Sequence, residues 1–538
     1  MIGSDAIVKC LEKEGVTTLF GYPGVAICPF FNSILKSTIE SILVRSEQNA
    51  AHAASGYARV TGKPGVCVAT SGPGATNLIT GIATAYADSI PLICITGQVD
   101  SKLLGGDVFQ EADITGAAES FVKYSYLVKN AADIPAIMKE AFHIATTGRK
   151  GPVLIDIPID IQNSPVSGFK YPETVNMRTY KPTVKGHRVQ LRKVISELEK
   201  AERPVILAGG GVILSGAVKE LREFSHKYGI PVVTTMMGIS SMPSDDDLYF
   251  GMIGNNGRDY ANYAITESDL LIVIGARIAD RAVSSPDLVA KDTVLIHIDV
   301  DPAEIGKNVG PTIPIVGDIR HIFNDLAKED AECDFTPWVE KLSAKRLSAH
   351  PRRSPRKSYV DPAAFVTALS QRLGDNDIYV ADVGQNQMWS CMYYVSKSGR
   401  FLTSGGMGTM GYSIPAAIGA KKAHMDRTVV AVCGDGSFQM SMNELATMVE
   451  NHIPVKIVVF NNGYLGLVRE YQHNTYNANY SMVSLGSVPD LSRIAEAYNI
   501  PFVRMKNGKD MDKVIDGFLA DKGCALMECM LDPMDTVK

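Results

Sequence analysis

Several things are missing from this 538-residue sequence, and each absence removes a class of protein. No apolar run approaches the roughly 18 residues that a helix needs to cross a bilayer, so a membrane-spanning protein is not expected. Lys and Arg number 53 against 58 Asp and Glu, a formal charge of −5. With no basic excess and no broad basic face, nucleic-acid binding is not expected. The one basic cluster, His350–Lys357, is broken by proline and reads as a solvated linker. None of the nine cysteines forms a CxxC pair or a metal-ligand spacing. Most lie in apolar runs such as Gly65–Ser71, and the odd count suits buried, reduced thiols. Met1–Gly15 reads as an amphipathic helix with acidic residues, not a secretory leader, so a cytoplasmic location is expected. There is no clean Gly-x-Gly-x-x-Gly with a downstream ribose-binding acid, the main signature of a Rossmann dehydrogenase.

What is present is an ordinary globular composition, 46% apolar and 21% charged, in a chain long enough for about three domains. Short Val- and Ile-rich runs alternate with longer helical patterns, as in repeated βα units around parallel sheets. Strands are expected near Thr18–Pro23, Ile42–Ser46, Gly65–Ser71, Pro91–Gly97 and Pro152–Pro158. A second set falls at Pro204–Gly209, Pro231–Met236, Leu270–Gly275 and Val294–Val300. The third comprises Asp377–Val383, Thr428–Cys433, Val455–Phe460 and Cys524–Leu531. Pro- and Gly-rich irregular stretches at 162–190 and 334–362 separate them. The expected architecture is three doubly wound α/β domains with mostly parallel sheets, at 1–165, 188–340 and 360–538.

The most specific signal is Gly434-Asp435-Gly436-Ser437 after one strand, with Asn461-Asn462 after the next. Residues 437–460 between them suffice for a helix and a returning parallel strand, which puts both loops at one carboxyl edge. There Asp435 and Asn462 can offer oxygens to a hard cation. Mg²⁺ takes few protein ligands and completes its octahedron with phosphate oxygens. The glycines let the backbone approach a diphosphate at the next helix. Taken alone, Gly-Asp-Gly is only a capped turn; the paired asparagines change its meaning.

This pair resembles the fingerprint of the thiamine diphosphate (ThDP) decarboxylase and carboligase superfamily. The resemblance implies that the main-chain carbonyl of Tyr464 is the third protein ligand of the metal. Asp382-Val383-Gly384-Gln385-Asn386 resembles the family's other diphosphate loop, and Leu465 and Gly466 fall beside it. Ser404–Ala420 resembles the segment that clamps the cofactor's middle. There the carbonyl of Gly408 would hold the aminopyrimidine's amino group and the Met410 side chain would wedge the cofactor into a V. Glu47, in Ser46-Glu47-Gln48, corresponds to the carboxylate that works on the pyrimidine N1′ so that the thiazolium C2 can lose its proton. Read without the family it is a first-turn acid favoured by the helix dipole. Pro23, Gly24, Thr70 and Asn77 match cofactor-binding positions of the same pyrimidine-binding domain, in LFGYPG and in the run from Thr70 through SGPGATN.

Nearly end to end, the chain resembles the catalytic subunit of acetohydroxyacid (acetolactate) synthase. The resemblance implies a carboligase that decarboxylates pyruvate on ThDP and transfers the two-carbon unit to a second 2-oxoacid, giving 2-acetolactate and CO₂. Phe109 and Gln110 would line the reaction centre. Arg277 would bind the acceptor's carboxylate, for which a guanidinium is suited. The alternative is a related ThDP carboligase or 2-oxoacid decarboxylase with another donor or acceptor, such as a sulfoacetaldehyde acetyltransferase. Sites shared between subunits imply a homodimer or homotetramer, and a small regulatory subunit is a further partner of such chains. Gly209, Gly210, Gly211, Arg277, Arg281, Asp299 and Asp318 fall where FAD contacts occur in the central domain of the biosynthetic enzymes. The sequence departs from the family at Val25, Ser46, Ile159, Asn386 and Tyr471, the last of which bears on acceptor choice. It stops just after its last strand, so the family's C-terminal lid is expected to be short or missing.

Overall fold

The structure, a computed structural model, describes residues 1–279, 289, 292–310, 312–349 and 358–537. Arg281 and the basic cluster 350–357 therefore lie outside the described residues.

The first sheet contains β1 (Thr18–Tyr22), β2 (Glu40–Leu43), β3 (Gly65–Ala69), β4 (Leu92–Gln98), β5 (Tyr124–Leu127) and β6 (Pro152–Pro158). The second contains β7 (Pro204–Ala208), β8 (Val232–Thr234), β9 (Tyr249–Met252), β10 (Leu270–Ile274), β11 (Val294–Asp299) and β12 (Ile313–Val316). The third contains β13 (Ile378–Ala381), β14 (Arg400–Thr403), β15 (Val429–Gly434), β16 (Lys456–Asn461), β17 (Phe502–Met505) and β18 (Ala525–Met530). Every pairing within these sheets is parallel. The central strands read as unbroken apolar runs because helices cover both faces of each sheet.

Strand orders are β2-β1-β3-β4-β6-β5, then β12-β11-β10-β7-β8-β9, then β14-β13-β15-β16-β18-β17. The first and third sheets thus share one winding, and the second has the order of a dinucleotide fold. In an open parallel sheet, ligands sit outside the carboxyl ends where the strand order reverses. Those points lie between β1 and β3, between β7 and β10, and between β13 and β15.

The amino- and carboxyl-terminal units share one hydrophobic core. Its centre is the contact between the helix Glu47–Thr61, Ala-rich and ended by Gly62 at φ 73°, and the helix Ser413–Ala423. A β-carbon on Gly56 would stand 1.9 Å from the Ala416 carbonyl oxygen, so the two backbones touch.

Two expectations are corrected. The stretch 334–362 is not irregular throughout: Thr336–Leu347 is a helix, with Trp338 and Leu342 one turn apart and buried on the central sheet. The segment after residue 163 has no regular structure up to the helix at Arg188, yet it is no free linker. Phe169, Tyr171, Met177 and Tyr180 pack on the amino-terminal core, and the Tyr180 hydroxyl donates to the Thr147 carbonyl at 2.7 Å. Among the described residues no helix is long and apolar enough to cross a membrane.

Candidate functional site: three loop clusters at the sheets' reversal points

The third sheet brings Asp382–Asn386 after β13, Gly434–Ser437 after β15 and Asn461–Gly466 after β16 onto adjacent carboxyl ends. Gly434 is in register with Phe460, so the last two loops leave the sheet side by side. Asp435 Oδ2 accepts the Gly463 N–H at 2.7 Å and Oδ1 that of Gly436 at 3.0 Å. Burial nevertheless pushes its pKa up to about 6, against the lowering effect of these two hydrogen bonds. Asn462 Oδ1 accepts the Tyr464 N–H at 3.0 Å, and its Nδ2 donates to Gln385 Oε1 at 3.1 Å. Gln385 Nε2 in turn donates to Glu470 Oε2 at 2.9 Å. Each oxygen of Asp435 and Asn462 keeps a lone pair for a metal. Among the described residues no cluster of three His, Cys, Asp or Glu forms a metal site, so a cation here would rely on one carboxylate, one amide and carbonyls.

Glycine is required where the loops close on each other. A β-carbon on Gly436 would lie 2.8 Å from Leu465 Cδ2 and 3.5 Å from Met410 Cε, so the bare backbone leaves a slot bounded by these two side chains. On Gly466 it would meet Gln385 Oε1 at 2.0 Å. Ser437 Oγ donates to the Val383 carbonyl at 3.3 Å, and Asn386 Nδ2 donates to the carbonyls of Asp382 and Val432. Gly384 takes φ 122°. Asp382, fully buried, accepts the N–H groups of Val383 and Gly411 on Oδ1 and that of Ser413 on Oδ2. It ties the diphosphate-type loop to the Gly408–Met410 segment. Burial raises its pKa, and these hydrogen bonds oppose the rise.

In the first sheet, Pro23 and Gly24 follow β1, and Thr70–Asn77 follow β3. A β-carbon on Gly24 would meet Thr70 Oγ1 at 2.6 Å. That hydroxyl is buried with no hydrogen-bond partner, an unsatisfied group of the kind a ligand completes. Glu47, half-buried at the start of its helix, accepts from Asn77 Nδ2 on Oε2 at 3.0 Å, and its Oε1 lies 3.3 Å from where a Gly74 β-carbon would be. Gln110, at φ 61°, crowds Gly72, while the neighbouring Phe109 is 87% exposed.

In the second sheet, a cavity of about 610 Å³ opens at the β7/β10 reversal point. Gly210, Gly211, Arg277, Asp299 and Asp318 line it, as do Val383 and Gly408 of the carboxyl-terminal unit. Packing accounts for part of the triple glycine. A β-carbon on Gly209 would stand 2.2 Å from the Gly275 carbonyl oxygen, and one on Gly211 2.6 Å from Gly275 Cα. Asp318 caps the helix Ile319–Leu326, accepting the N–H of Arg320 at 3.0 Å. Burial pushes Asp299 up to about 6.

The structure therefore groups the sequence-predicted residues in three places: Glu47 with Asn77 and Thr70, Asp435 with Asn462 and Gln385, and Arg277 with the central cavity. Sequence reading assigned no role to Glu444, whose Oε1 accepts the Arg45 N–H and Asn49 Nδ2, both at 2.9 Å, on either side of Glu47. Nor did it assign one to Asp88 and Thr84, which reach the Ser404–Met410 segment.

Comparison with known proteins agrees with the three α/β sheets. Residues 1–117 match the thiamine pyrophosphate enzyme N-terminal TPP binding domain, 191–326 its central domain, and 382–529 its C-terminal TPP binding domain. A probable acetolactate synthase large subunit of Methanocaldococcus jannaschii is 44% identical, the match covering 100% of this chain and 93% of that one. The acetolactate synthase large subunit of Corynebacterium glutamicum is 43% identical over 95% of this chain and 83% of its own. That of Lactococcus lactis is 42% identical over 95% and 89%. By these matches and its three parallel sheets, the chain belongs to the thiamine pyrophosphate enzymes and, within them, to the acetolactate synthase large-subunit family.

Proposed function

We propose that this chain is the catalytic subunit of an acetolactate synthase, which decarboxylates pyruvate and joins the two-carbon unit to a second 2-oxoacid, giving 2-acetolactate when that acceptor is pyruvate. The observation that carries the reading is the meeting of the Asp382, Asp435 and Asn462 loops at one reversal point, in a chain that retains Glu47 with Asn77 beside it. ThDP, when bound, supplies the electron sink that accepts the charge left by loss of CO₂. Asp435, the Asn462 side chain and the Tyr464 carbonyl hold Mg²⁺, and the bare backbone at Gly434 and Gly436 admits the diphosphate. The slot beside Gly436 and the unpartnered Thr70 hydroxyl are what a ligand of this shape requires. Glu47, oriented by Asn77, exchanges a proton at the pyrimidine N1′. Phe109 and Gln110 cover the reacting carbon, and Arg277 orients the acceptor by its carboxylate.

Such a site is completed between two copies of the chain, with Glu47 and Phe109 of one facing the diphosphate loops of the other. Supporting this are the exposed apolar side chains Val25, Phe109, Tyr471 and Met482, of which Phe109 is 87% and Met482 93% exposed. FAD is the occupant proposed for the central cavity, supported by the dinucleotide strand order and the position of the cavity at its reversal point. The visible spectrum of the purified protein tests that part.

Incubation with pyruvate, ThDP and Mg²⁺ tests the main reading. Acetolactate, converted to acetoin by acid, is the expected product. Acetaldehyde as the sole product, or no consumption of pyruvate, overturns it.

A further inference from the structure

The clamp segment Ser404–Met410 belongs to the carboxyl-terminal unit, yet the residues that hold its middle belong to the amino-terminal one. Its ends are tied within its own unit. Gln387 Nε2 donates to Thr403 Oγ1 at 2.7 Å and to the Ser404 carbonyl at 3.0 Å, while Asp382 takes Gly411 and Ser413. Between these ends, the Thr409 N–H donates to Ser404 Oγ at 3.0 Å within the segment, and the hydrogen bonds from the amino-terminal unit come from the helix Ile79–Ala87 and its C-cap, Asp88. Asp88 Oδ1 accepts the Gly406 N–H at 2.7 Å, and its Oδ2 accepts that of Gly405 at 3.3 Å. The Thr84 and Thr409 hydroxyls lie 2.7 Å apart. Gly406 has no room for a side chain, since a β-carbon would stand 2.8 Å from the Ala87 carbonyl oxygen. Gly408, at φ 68°, and Met410 flank the tethered Thr409.

Asp88 is also half of a buried ion pair. Arg59 Nη2 approaches its Oδ2 at 2.5 Å, and Arg59 Nη1 donates to the Thr403 carbonyl at 2.7 Å. The side chains are 5% and 0% exposed. A buried pair of this kind contributes little net stability, because desolvation offsets the attraction. Here, among the described residues, every further side-chain hydrogen bond of the pair goes to Thr403 at the end of β14 or to Gly405 and Gly406 just beyond it, which points to placement of the clamp segment as its role.

The opposite end of the same stretch reaches the relay acid, for Asn77 stands two residues before Ile79 and donates to Glu47 Oε2.

We propose that Asp88 and Thr84 are positioning residues that set the Gly408 carbonyl and the Met410 side chain against the pyrimidine of the cofactor. The proposal rests on the ThDP reading above. Asp88 fixes the path of the backbone into the turn, and Thr84 fixes its exit through Thr409, so the carbonyl between them has one direction.

The test uses two ligands that differ only at the group the Gly408 carbonyl would take: ThDP and its 4′-deamino analogue, each titrated with Mg²⁺ into the full-length protein. Wild type is expected to prefer ThDP by about tenfold, the worth of one well-placed hydrogen bond. Thr84→Val, which keeps shape and loses the hydroxyl, is expected to reduce that preference to about threefold or less while the analogue binds as before. Thr84→Ser should restore it. Asp88→Asn is expected to act in the same direction; because it disturbs a buried pair, Thr84→Val carries the decision. If Thr84→Val keeps the wild-type preference, or weakens both ligands equally, the positioning role is wrong. If wild type itself does not distinguish the two ligands, the error lies instead in the assignment of the Gly408 carbonyl.

Discussion

Gly419 lies against Ala53 so closely that a β-carbon there would stand 1.8 Å from the Ala53 carbonyl oxygen. With Gly56 on the facing helix, it lets the helix that begins at Glu47 rest directly on a helix of the carboxyl-terminal unit. Gly419→Ala should therefore force the helices apart and lower stability by about 1–3 kcal/mol, the usual range for overpacking. Urea unfolding of the variant and the wild type, compared at one pH, checks this. Turnover should fall as well, since the displaced helix carries Glu47.

Glu47→Gln keeps the length of the side chain and an oxygen for Asn77 but cannot exchange a proton. Its turnover of pyruvate is expected to fall by about 10²–10⁴-fold, the range for a lost acid–base group. ThDP affinity, followed by titration with Mg²⁺ present, should stay within a few-fold of wild type. Undiminished turnover would remove Glu47 from the relay.

Asp435→Ala takes away the only carboxylate among the proposed metal ligands. Disturbing the residues behind a metal's ligands typically costs about 10–100-fold in affinity, so losing a ligand should cost at least that. ThDP titrations with Mg²⁺ and with EDTA should converge for this variant and differ widely for wild type.

Asp156 governs a pH effect of the fold itself. It is buried at the ends of β4 and β6, accepting from Thr96 Oγ1 at 2.6 Å and Gln98 Nε2 at 2.9 Å, and burial raises it from 3.8 to about 7. Between these values the folded chain holds a proton that the unfolded chain releases, so this group makes stability fall as pH rises from about 4 to 7. His52 works in the opposite sense. Burial lowers it from 6.5 to about 3, so its contribution to stability is lost as pH falls through that window. In Asp156→Asn only the His52 trend of the two remains. Relative to wild type, the variant should gain stability with rising pH, by at most about 1.4 kcal/mol per unit. Urea midpoints at pH 5 and pH 8 decide it.

The central strands were legible because they are covered on both faces: β3, β7 and β10 are buried at every position and read as plain apolar runs. The strands that sequence reading passed over, β5, β9, β12, β14 and β17, all lie at sheet edges. Each has only four residues, too few for a pattern to stand out: β5, β12 and β17 are mostly exposed or half-exposed, β9 alternates over just two repeats, and β14 offers three buried positions. The site divides in the same way. Gly434–Ser437, Asn461-Asn462 and Glu47 sit where strands give way to loops or helices, and their chemistry is local to a few consecutive residues. The groups that aim these loops act over long separations: Asp88 reaches Gly406 across 318 positions and Glu444 reaches Arg45 across 399. Such pairings leave no pattern in a single sequence, because either partner alone is an ordinary polar residue. The triple glycine at 209–211 carries two demands at once that a single sequence does not separate: Gly209 and Gly211 let the backbone pass against Gly275, and Gly210 and Gly211 line the central cavity.

Phe109 stands nine-tenths bare on the surface of a single chain, with Glu47's cluster anchored in one sheet and Asp435's in another. If a neighbouring copy must supply what each cluster lacks, the enzyme's activity per milligram is not a constant but a function of how much enzyme is in the tube. Diluted below the point at which copies find one another, it should fade while every helix remains intact, and recover on concentration without refolding.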